Sequence, residues 1–302
     1  MAFLYACGDR STIDIPIRCT GPWVSVTAGY QGTCGLHADG CVECWTPVDT
    51  GGRSPDISDT AYDGRTGYLV PPEGVYSAVD LPRCGDWGTH ACAIRASDQG
   101  IDCWGSDTWH KNEAPEGQWL SLSVGEDDGC ALGLDGRIAC WGRYRGGDVV
   151  YTQADDYVDV SNCDNGICGL ASDGRIDCWE SGYEANLRSD PGPWTDMQAS
   201  DISLWCALDH DGIPYCALGA IDLPNTKGSV DLCLPDNDIG SCMLSSDGHV
   251  ECTGVVSGPP ASSFSSIACG QAHACGVTTD GGIECWGEGC ETMGRCDVPE
   301  HE

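Results

Sequence analysis

Residues 128–142 read DGCALGLDGRIACWG, two short strands folded about an Asp-Gly turn. Counting outward from Asp135, Cys130 falls opposite Cys140 and Leu132 opposite Ile138. Directly opposed cysteines reach the short Cβ separation that a disulfide requires, and the opposed aliphatics form a cross-strand pair on one sheet face. The same arrangement recurs at Cys34/Cys44, Cys92/Cys103, Cys168/Cys178, Cys206/Cys216, Cys242/Cys252 and Cys275/Cys285. Six of the seven units centre on an aspartate followed by glycine: Asp39, Asp135, Asp173, Asp211, Asp247 and Asp280. Asp and Gly tolerate the backbone angles of tight turns, so the repeated pair reads as hairpin geometry. The remaining unit has one extra residue in SDQG, yet Ile94 and Ile101 keep the register, which places the insertion in the turn. Seven cross-strand disulfides are expected, one per hairpin. Zinc is the alternative for paired cysteines, but only Cys41 and Cys44 have the close spacing of a zinc knuckle.

The surroundings of each hairpin are periodic too. About eleven residues before the first cysteine stands an aromatic, at Trp23, Trp119, Tyr157 and Phe264, with Trp194 at twelve and Tyr76 further away. An alternating strand follows, as in WVSVTAG and WLSLSVG. After the second cysteine comes Trp45, Trp104, Trp141, Trp179 or Trp286. The first cysteines advance by 58, 38, 38, 38, 36 and 33 residues, room for one small sheet per repeat. Sheets of that size bury their faces only by stacking on neighbours, and seven stacked radially make a closed wheel. The expected fold is therefore all-β, a seven-bladed β-propeller with one cross-strand disulfide hairpin per blade. The five tryptophans after the second cysteine are expected between blades.

The stretches HACAIRASDQGIDCWG (90–105), DGCALGLDGRIACWG (128–142), NGICGLASDGRIDCWE (165–180) and HACGVTTDGGIECWG (273–287) resemble the regulator of chromosome condensation repeat, in the short, Cys-containing form of many bacterial surface and secreted proteins. The resemblance covers roughly residues 21 to 287 and implies a seven-bladed propeller. It does not choose a function, because members of the family do unrelated things. The expected layout is an N-terminal segment, 1–20, closing the last blade, a propeller over 21–290 with an insertion loop at 46–74, and a tail at 291–302.

Charge narrows the function. The chain has 47 acidic residues against 14 basic ones, a net charge of −33. Such a surface repels phosphate backbones and anionic membranes, so no nucleic-acid partner is expected. Twenty-three cysteines imply an oxidising compartment. MAFLYAC lacks the charged and apolar regions of an export signal, and no stretch reaches the length of a transmembrane helix. An extracellular or cell-surface location is expected, with the export signal absent from this chain. Outside the hairpins stand Cys7, Cys19, Cys41, Cys84, Cys163, Cys233, Cys269, Cys290 and Cys296. An odd number cannot all pair internally, and Cys7 is the expected free, lipidated or intermolecular residue. Cys84, Cys163, Cys233 and Cys269 are expected to form bridges within or between blades, and Cys19 to reach Cys290 or Cys296.

The loops between the first strand and the hairpin are acidic. They contain Asp86, Glu126, Asp127, Asp128, Asp164, Asp201, Asp236 and Asp238, with Trp87 and Trp205 alongside. Equivalent loops of a propeller emerge on one face, so these residues are the expected binding face for a cationic partner. High-salt adaptation gives the same composition. Glu126-Asp127-Asp128-Gly129 and Asp236-Asn237-Asp238 are the nearest approaches to a calcium loop and fall short of the motif, leaving at most weak calcium binding. No cofactor and no metal centre are expected. The seven histidines form no nucleophile motif, His90 and His273 suit structural hydrogen bonds, and no glycine-rich phosphate loop occurs, so no enzyme is expected. Three readings follow. The chain is a secreted or surface recognition protein, binding a protein or glycan through the acidic face or the 46–74 insertion; a structural subunit of a disulfide-stabilised extracellular assembly; or an inhibitor of a secreted or periplasmic enzyme.

Overall fold

The computed structural model describes residues 19–30, 32–45, 70–84, 90–143, 149–152, 156–163, 166–180, 183–201, 204–217, 223–224, 227–235, 240–290 and 296–299. They form seven antiparallel sheets, each continuous in sequence. Blade 1 holds β1 (Trp23–Ala28), β2 (Thr33–His37) and β3 (Val42–Trp45); blade 2 holds β4 (Tyr76–Asp80), β5 (His90–Arg95) and β6 (Ile101–Gly105). Blade 3 comprises β7 (Trp119–Val124), β8 (Asp128–Gly133), β9 (Ile138–Gly142) and β10 (Val150–Tyr151). Blade 4 comprises β11 (Tyr157–Cys163), β12 (Gly166–Ala171), β13 (Ile176–Glu180) and β14 (Tyr183–Asp190). Blade 5 has β15 (Trp194–Asp201), β16 (Leu204–Asp209) and β17 (Pro214–Cys216); blade 6 has β18 (Ser229–Cys233), β19 (Cys242–Ser245) and β20 (Val250–Cys252). Blade 7 has β21 (Phe264–Cys269), β22 (Ala274–Thr278) and β23 (Ile283–Trp286).

The hairpin register is the one counted from the turns. Cys34 stands opposite Cys44, Cys130 opposite Cys140 and Cys275 opposite Cys285, with Leu36 facing Val42 and Val277 facing Ile283. The other four pairs are opposed in the same way: Cys92 with Cys103, Cys168 with Cys178, Cys206 with Cys216 and Cys242 with Cys252. All seven hairpin disulfides form, at Cα separations of 4.0 to 4.1 Å.

Cys103 and Cys178 take the expected partners, but their surroundings differ, which the repeat does not announce. Cys103 lies on β6, the edge of a three-stranded sheet, and is only half-buried. Cys178 lies on β13, which a fourth strand covers, with Arg188 of β14 as its register partner. Cys178 is therefore fully buried. The ladder of β13 and β14 also shifts register between Cys178 and Glu180.

The core is distributed over the seams. Each of seven apolar clusters joins two neighbouring blades: Leu36 and Val42 meet Tyr76 and Trp104, and Trp23 and Val26 meet Val277 and Ile283. Trp45, Trp104, Trp141, Trp179 and Trp286 are all buried there. Burying large aromatics between sheets supplies much of the force that holds the wheel together.

Two sets of polar bonds reinforce the seams. The first residue of every inner strand donates its amide to the turn of the preceding blade: Tyr76 to Gly40, Trp119 to Gln99, Tyr157 to Gly136, Trp194 to Gly174, Ser229 to Gly212, Phe264 to Gly248, and Trp23 to Gly281. Gly136 (φ 76°) and Gly281 (φ 87°) take the left-handed conformation that glycine adopts readily. The Asp-Gly turn therefore makes the hairpin and also presents a carbonyl to the next blade. Nearer the axis, the amides of Val124, Asn162 and Ala199 donate to Asp80 Oδ2, Ser123 Oγ and Ser161 Oγ of the preceding blade, at 2.8, 2.8 and 2.9 Å. These bonds occupy donors on inner-strand edges that would otherwise be buried and unpaired.

Two disulfides act as staples between blades. Cys233–Cys269 ties blade 6 to blade 7, and Cys84–Cys163 ties blade 2 to blade 4, passing over blade 3. Arg83 runs beside the second staple and donates to Ser161 Oγ at 3.0 Å and to the Ala199 carbonyl at 3.4 Å. The expected link from Cys19 to Cys290 or Cys296 is not formed. Cys19 bonds Cys41, and Cys290 bonds Cys296. The reason is local: Thr20 is anchored to the blade 1 turn by its amide and hydroxyl on Asp39 Oδ2, which sets Cys19 beside Cys41. These bridges account for every cysteine except Cys7, which lies outside the described residues, as do positions 1–18 and 46–69 of the terminal segment and insertion.

Candidate functional site

The end of the wheel where the inner strands finish carries the loops expected to bind. Asp86, Trp87, Asp164, Asp236 and Asp238 lie outside the described residues, and Asp201 is described only as the last backbone position of β15. Of the others, Glu126 is half-buried, whereas Asp127, Asp128 and Trp205 are buried. Trp205 packs edge-on against Trp194 in the seam. Asp127 and Asp128 point inward for a reason that the acidic pattern conceals. Lys111, one of only two lysines in the chain, is fully buried with its Nζ 3.8 Å from Asp127 Oδ1. Arg143 Nη1 reaches Asp127 Oδ2 at 2.7 Å, and Asn162 Nδ2 donates to Asp128 Oδ1 at 2.8 Å. A buried cation holds its place only when paired, so Asp127 is a structural counter-charge, while Asp128 is buried against the Asn162 amide.

The loop that delivers Lys111 also delivers Trp109. Asp107 Oδ1 accepts the Asn112 amide at 3.1 Å, Asn112 Nδ2 donates to the Gly105 carbonyl at 3.1 Å, and Trp141 Nε1 donates to the Lys111 carbonyl at 2.8 Å. Fixed at both ends, the backbone turns through two left-handed residues, Trp109 (φ 68°) and His110 (φ 61°). Bulky residues rarely adopt that conformation, and it persists only where surrounding bonds over-determine it. Its result is a tryptophan that is 57% exposed, with the Arg143 guanidinium 5.3 Å from its ring. Asp107, Glu113 and Glu116, close to it in sequence, are exposed. His110 Nδ1 pairs with Glu113 Oε1 at 2.9 Å, which raises the pKa of this imidazole. The repeat hides this site, since Trp109 follows neither a hairpin cysteine nor the eleven-residue aromatic spacing. That irregularity was its one signal in sequence.

Of the two histidines expected to make structural hydrogen bonds, His273 makes one and His90 makes none among the described residues. His273 Nε2 meets Thr33 Oγ1 at 3.0 Å across the closing seam. His90 is fully buried, has no hydrogen-bond partner among the described residues, and is held neutral by burial and by nearby Lys111. Three carboxylates stand at one register position on successive inner strands. Asp159, Asp196 and Asp231 are pushed up to about 7, 6 and 7 by burial, to which the charge of Asp196 adds at its two neighbours.

A family profile described as "Regulator of chromosome condensation (RCC1) repeat" matches residues 264–292. No curated protein matches the chain. Among solved structures, the chain is similar to the CRINKLY WD40 ectodomain of the Arabidopsis thaliana receptor kinase ACR4, with a TM-score of 0.65 and 21% identity over 89% of this chain and 97% of that one. It is also similar to the ectodomain of the Physcomitrella patens receptor kinase CR4, with a TM-score of 0.61 and 20% identity over 89% of this chain and 74% of that one. Human WBSCR16 gives a TM-score of 0.53 and 14% identity over 90% and 77%. Likenesses at these identities speak for the fold alone. No described helix is long and apolar enough to cross a membrane. With the matched repeat, the seven disulfide hairpins and the ring of seams together, the chain is an RCC1-like repeat propeller.

Proposed function

We propose that this chain is a non-enzymatic recognition module of an extracellular or cell-surface compartment, and that it binds a protein partner through the loop end centred on Trp109. The carrying observation is the exposed indole on a rigid, strained and over-determined loop. A tryptophan fixed before binding gives contact area at small entropic cost, which is how interface anchors act. Eleven disulfides support the compartment, because such bridges persist outside reducing cytosol. The two plant structures, named as ectodomains of receptor kinases, show this fold in an extracellular setting and support the same reading. The test places a photoreactive residue at position 109 and crosslinks on intact cells of the source organism. One dominant protein adduct is expected, competed by excess parent protein and not by Trp109→Ala. Absence of any protein adduct, or equal competition by Trp109→Ala, rejects the reading; a signal confined to a glycan array transfers the site to carbohydrate.

A further inference from the structure

The opposite end of the wheel has a regular surface of its own. Every inner strand carries a β-bulge at one position, between Trp23 and Ser25, Trp119 and Ser121, Tyr157 and Asp159, Ser229 and Asp231, and likewise in the other three blades. A bulge leaves one residue unpaired and re-aims its side chain. Here the extruded residue is exposed in all seven blades. In four it is aliphatic: Val24 at 49%, Leu120 at 54%, Val158 at 54% and Val230 at 56%. Leu134, 53% exposed, joins them, since its amide donates to the Gln118 carbonyl two residues before Leu120.

The turn carboxylates lie beside this ring by construction. The residue just before each extruded one donates its amide to a turn of the preceding blade, so Asp280-Gly281 abuts Trp23-Val24, Asp135-Gly136 abuts Tyr157-Val158, and Asp211-Gly212 abuts Ser229-Val230. Each of these aspartates is exposed. Asp135 Oδ1 and Asp173 Oδ1 accept the amides of Arg137 and Arg175 at 3.2 and 3.0 Å, which fixes the carboxylates at the rim. Exposed aliphatics at four of the seven positions, each next to a turn of the preceding blade and three of them to an Asp-Gly turn, combine the apolar and charged surface of a protein interface.

We propose that this turn end is a docking surface for a cationic amphipathic segment of another protein, whose apolar side chains rest on Val24, Leu120, Val158 and Val230 while its Lys and Arg pair with the turn aspartates. Charge chooses the occupant. A second copy of a chain of net charge −33 brings the same acidic rim, and like charges would face one another. The hydrogen bonds held by Asp39, Asp247 and Asp280 lower their pKa values and keep the rim ionised.

The probe is a synthetic 18-residue leucine–lysine amphipathic helix, with a peptide of equal composition and scrambled order as control, titrated calorimetrically in low and in physiological salt. Saturable binding of the amphipathic peptide alone is expected. Leu120→Ser with Val158→Ser should weaken it by about tenfold through lost apolar burial. Asp135→Asn with Asp173→Asn keeps the turn acceptors and should weaken it by about threefold, with a flatter salt dependence. Equal binding of the scrambled peptide, or indifference to the serine pair in a variant that melts like the parent, overturns the proposal. So does a parent dimer in sedimentation that the serine pair dissociates, since the occupant would then be a second copy. Trp109→Ala should leave peptide binding unchanged, so failure here is distinct from failure of the loop-end reading.

Discussion

The amide of Trp23 donates to the carbonyl of Gly281 at 2.9 Å, and this bond joins the first described strand to the last hairpin. It is the seventh member of a set that repeats at every seam. The wheel therefore closes with the same contact that builds it, helped by Thr33 and His273 across the same seam. Between blade 7 and blade 1, Ile283 and Val277 pack on Trp23 and Val26 as their counterparts do elsewhere.

If the turn glycines present carbonyls to the next blade, adding a methyl should matter most where that blade is close. A Cβ at Gly281 would lie 2.4 Å from Pro22 Cβ, whereas one at Gly228 (φ 84°) meets nothing within 4 Å. Gly228→Ala should show only the left-handed penalty, about 1–2 kcal/mol. Gly281→Ala adds a clash at the closing seam and should melt lower by several further degrees in calorimetry. Equal melting of the two variants would remove the seam role from the turn.

The long staple gives a second ordering. Cys84–Cys163 closes 79 residues and Cys130–Cys140 closes 10, so the chain-entropy treatment assigns about 4–5 and about 3 kcal/mol respectively. Cys84→Ala with Cys163→Ala should lower the Tm by more than Cys130→Ala with Cys140→Ala. The double variant also frees blade 2 from blade 4, which hydrogen exchange at Asn162 and Ala199 should register as faster opening.

The fold was legible because one hairpin repeats seven times with its register marked by cysteines and its turn by Asp-Gly. A count outward from Asp135 fixes which residues oppose, and the tryptophan after each second cysteine has only a seam to enter. Connections between blades were less legible. Cys84 and Cys163 meet only because the loops of blades 2 and 4 converge at the axis, and no spacing encodes that. The outer strand that buries Cys178 and leaves Cys103 at an edge is likewise unmarked by the repeat. The candidate site was the least legible part. Asp127 looks like surface charge until Lys111 is found buried against it, and Asp128 until the Asn162 amide is found donating to it; the exposure of Trp109 depends on two left-handed residues with no glycine to announce them.

The inner-strand aspartates predict a pH dependence. Burial raises Asp159, Asp196 and Asp231 to about 7, 6 and 7, so the folded state holds protons that the unfolded chain has released. Their contribution to stability is complete below the ordinary carboxylate range near 4 and is lost as pH rises through about 6 to 7. Asp159 faces Asp196 and Arg83, and Asp231 faces Asp196 and the Ile267 amide. Turn aspartates such as Asp39 and Asp247, with lowered pKa values, act in the opposite sense and cost stability in strong acid. Melting temperature should therefore peak in mild acid and fall toward pH 8. Asp231→Asn should flatten the alkaline limb by about 2–4 °C for each kcal/mol recovered. A Tm that rises steadily from pH 5 to pH 8 contradicts this account.

The buried pair beneath Trp109 can be separated from the exposed ring by an asymmetry of substitutions. Asp127→Asn removes the carboxylate facing both Lys111 and Arg143 and leaves a cation fully buried; breaking a buried pair from one side costs about 3–5 kcal/mol. Lys111→Met removes the buried charge and keeps the packing, while Arg143 still pairs with Asp127, so the cost should be far smaller. Lys111→Met with Asp127→Leu should recover most of the loss from Asp127→Asn, since a buried pair can be replaced by apolar groups at little cost. Quenching of Trp109 fluorescence, read against Trp109→Phe, adds the functional half of the test. If the pair serves to hold the loop in its left-handed turn, Asp127→Asn should change quencher access at Trp109 even at temperatures where the wheel remains folded. If access is unchanged while stability falls, the pair supports the seam alone and the loop is held by the Asp107 and Asn112 bonds.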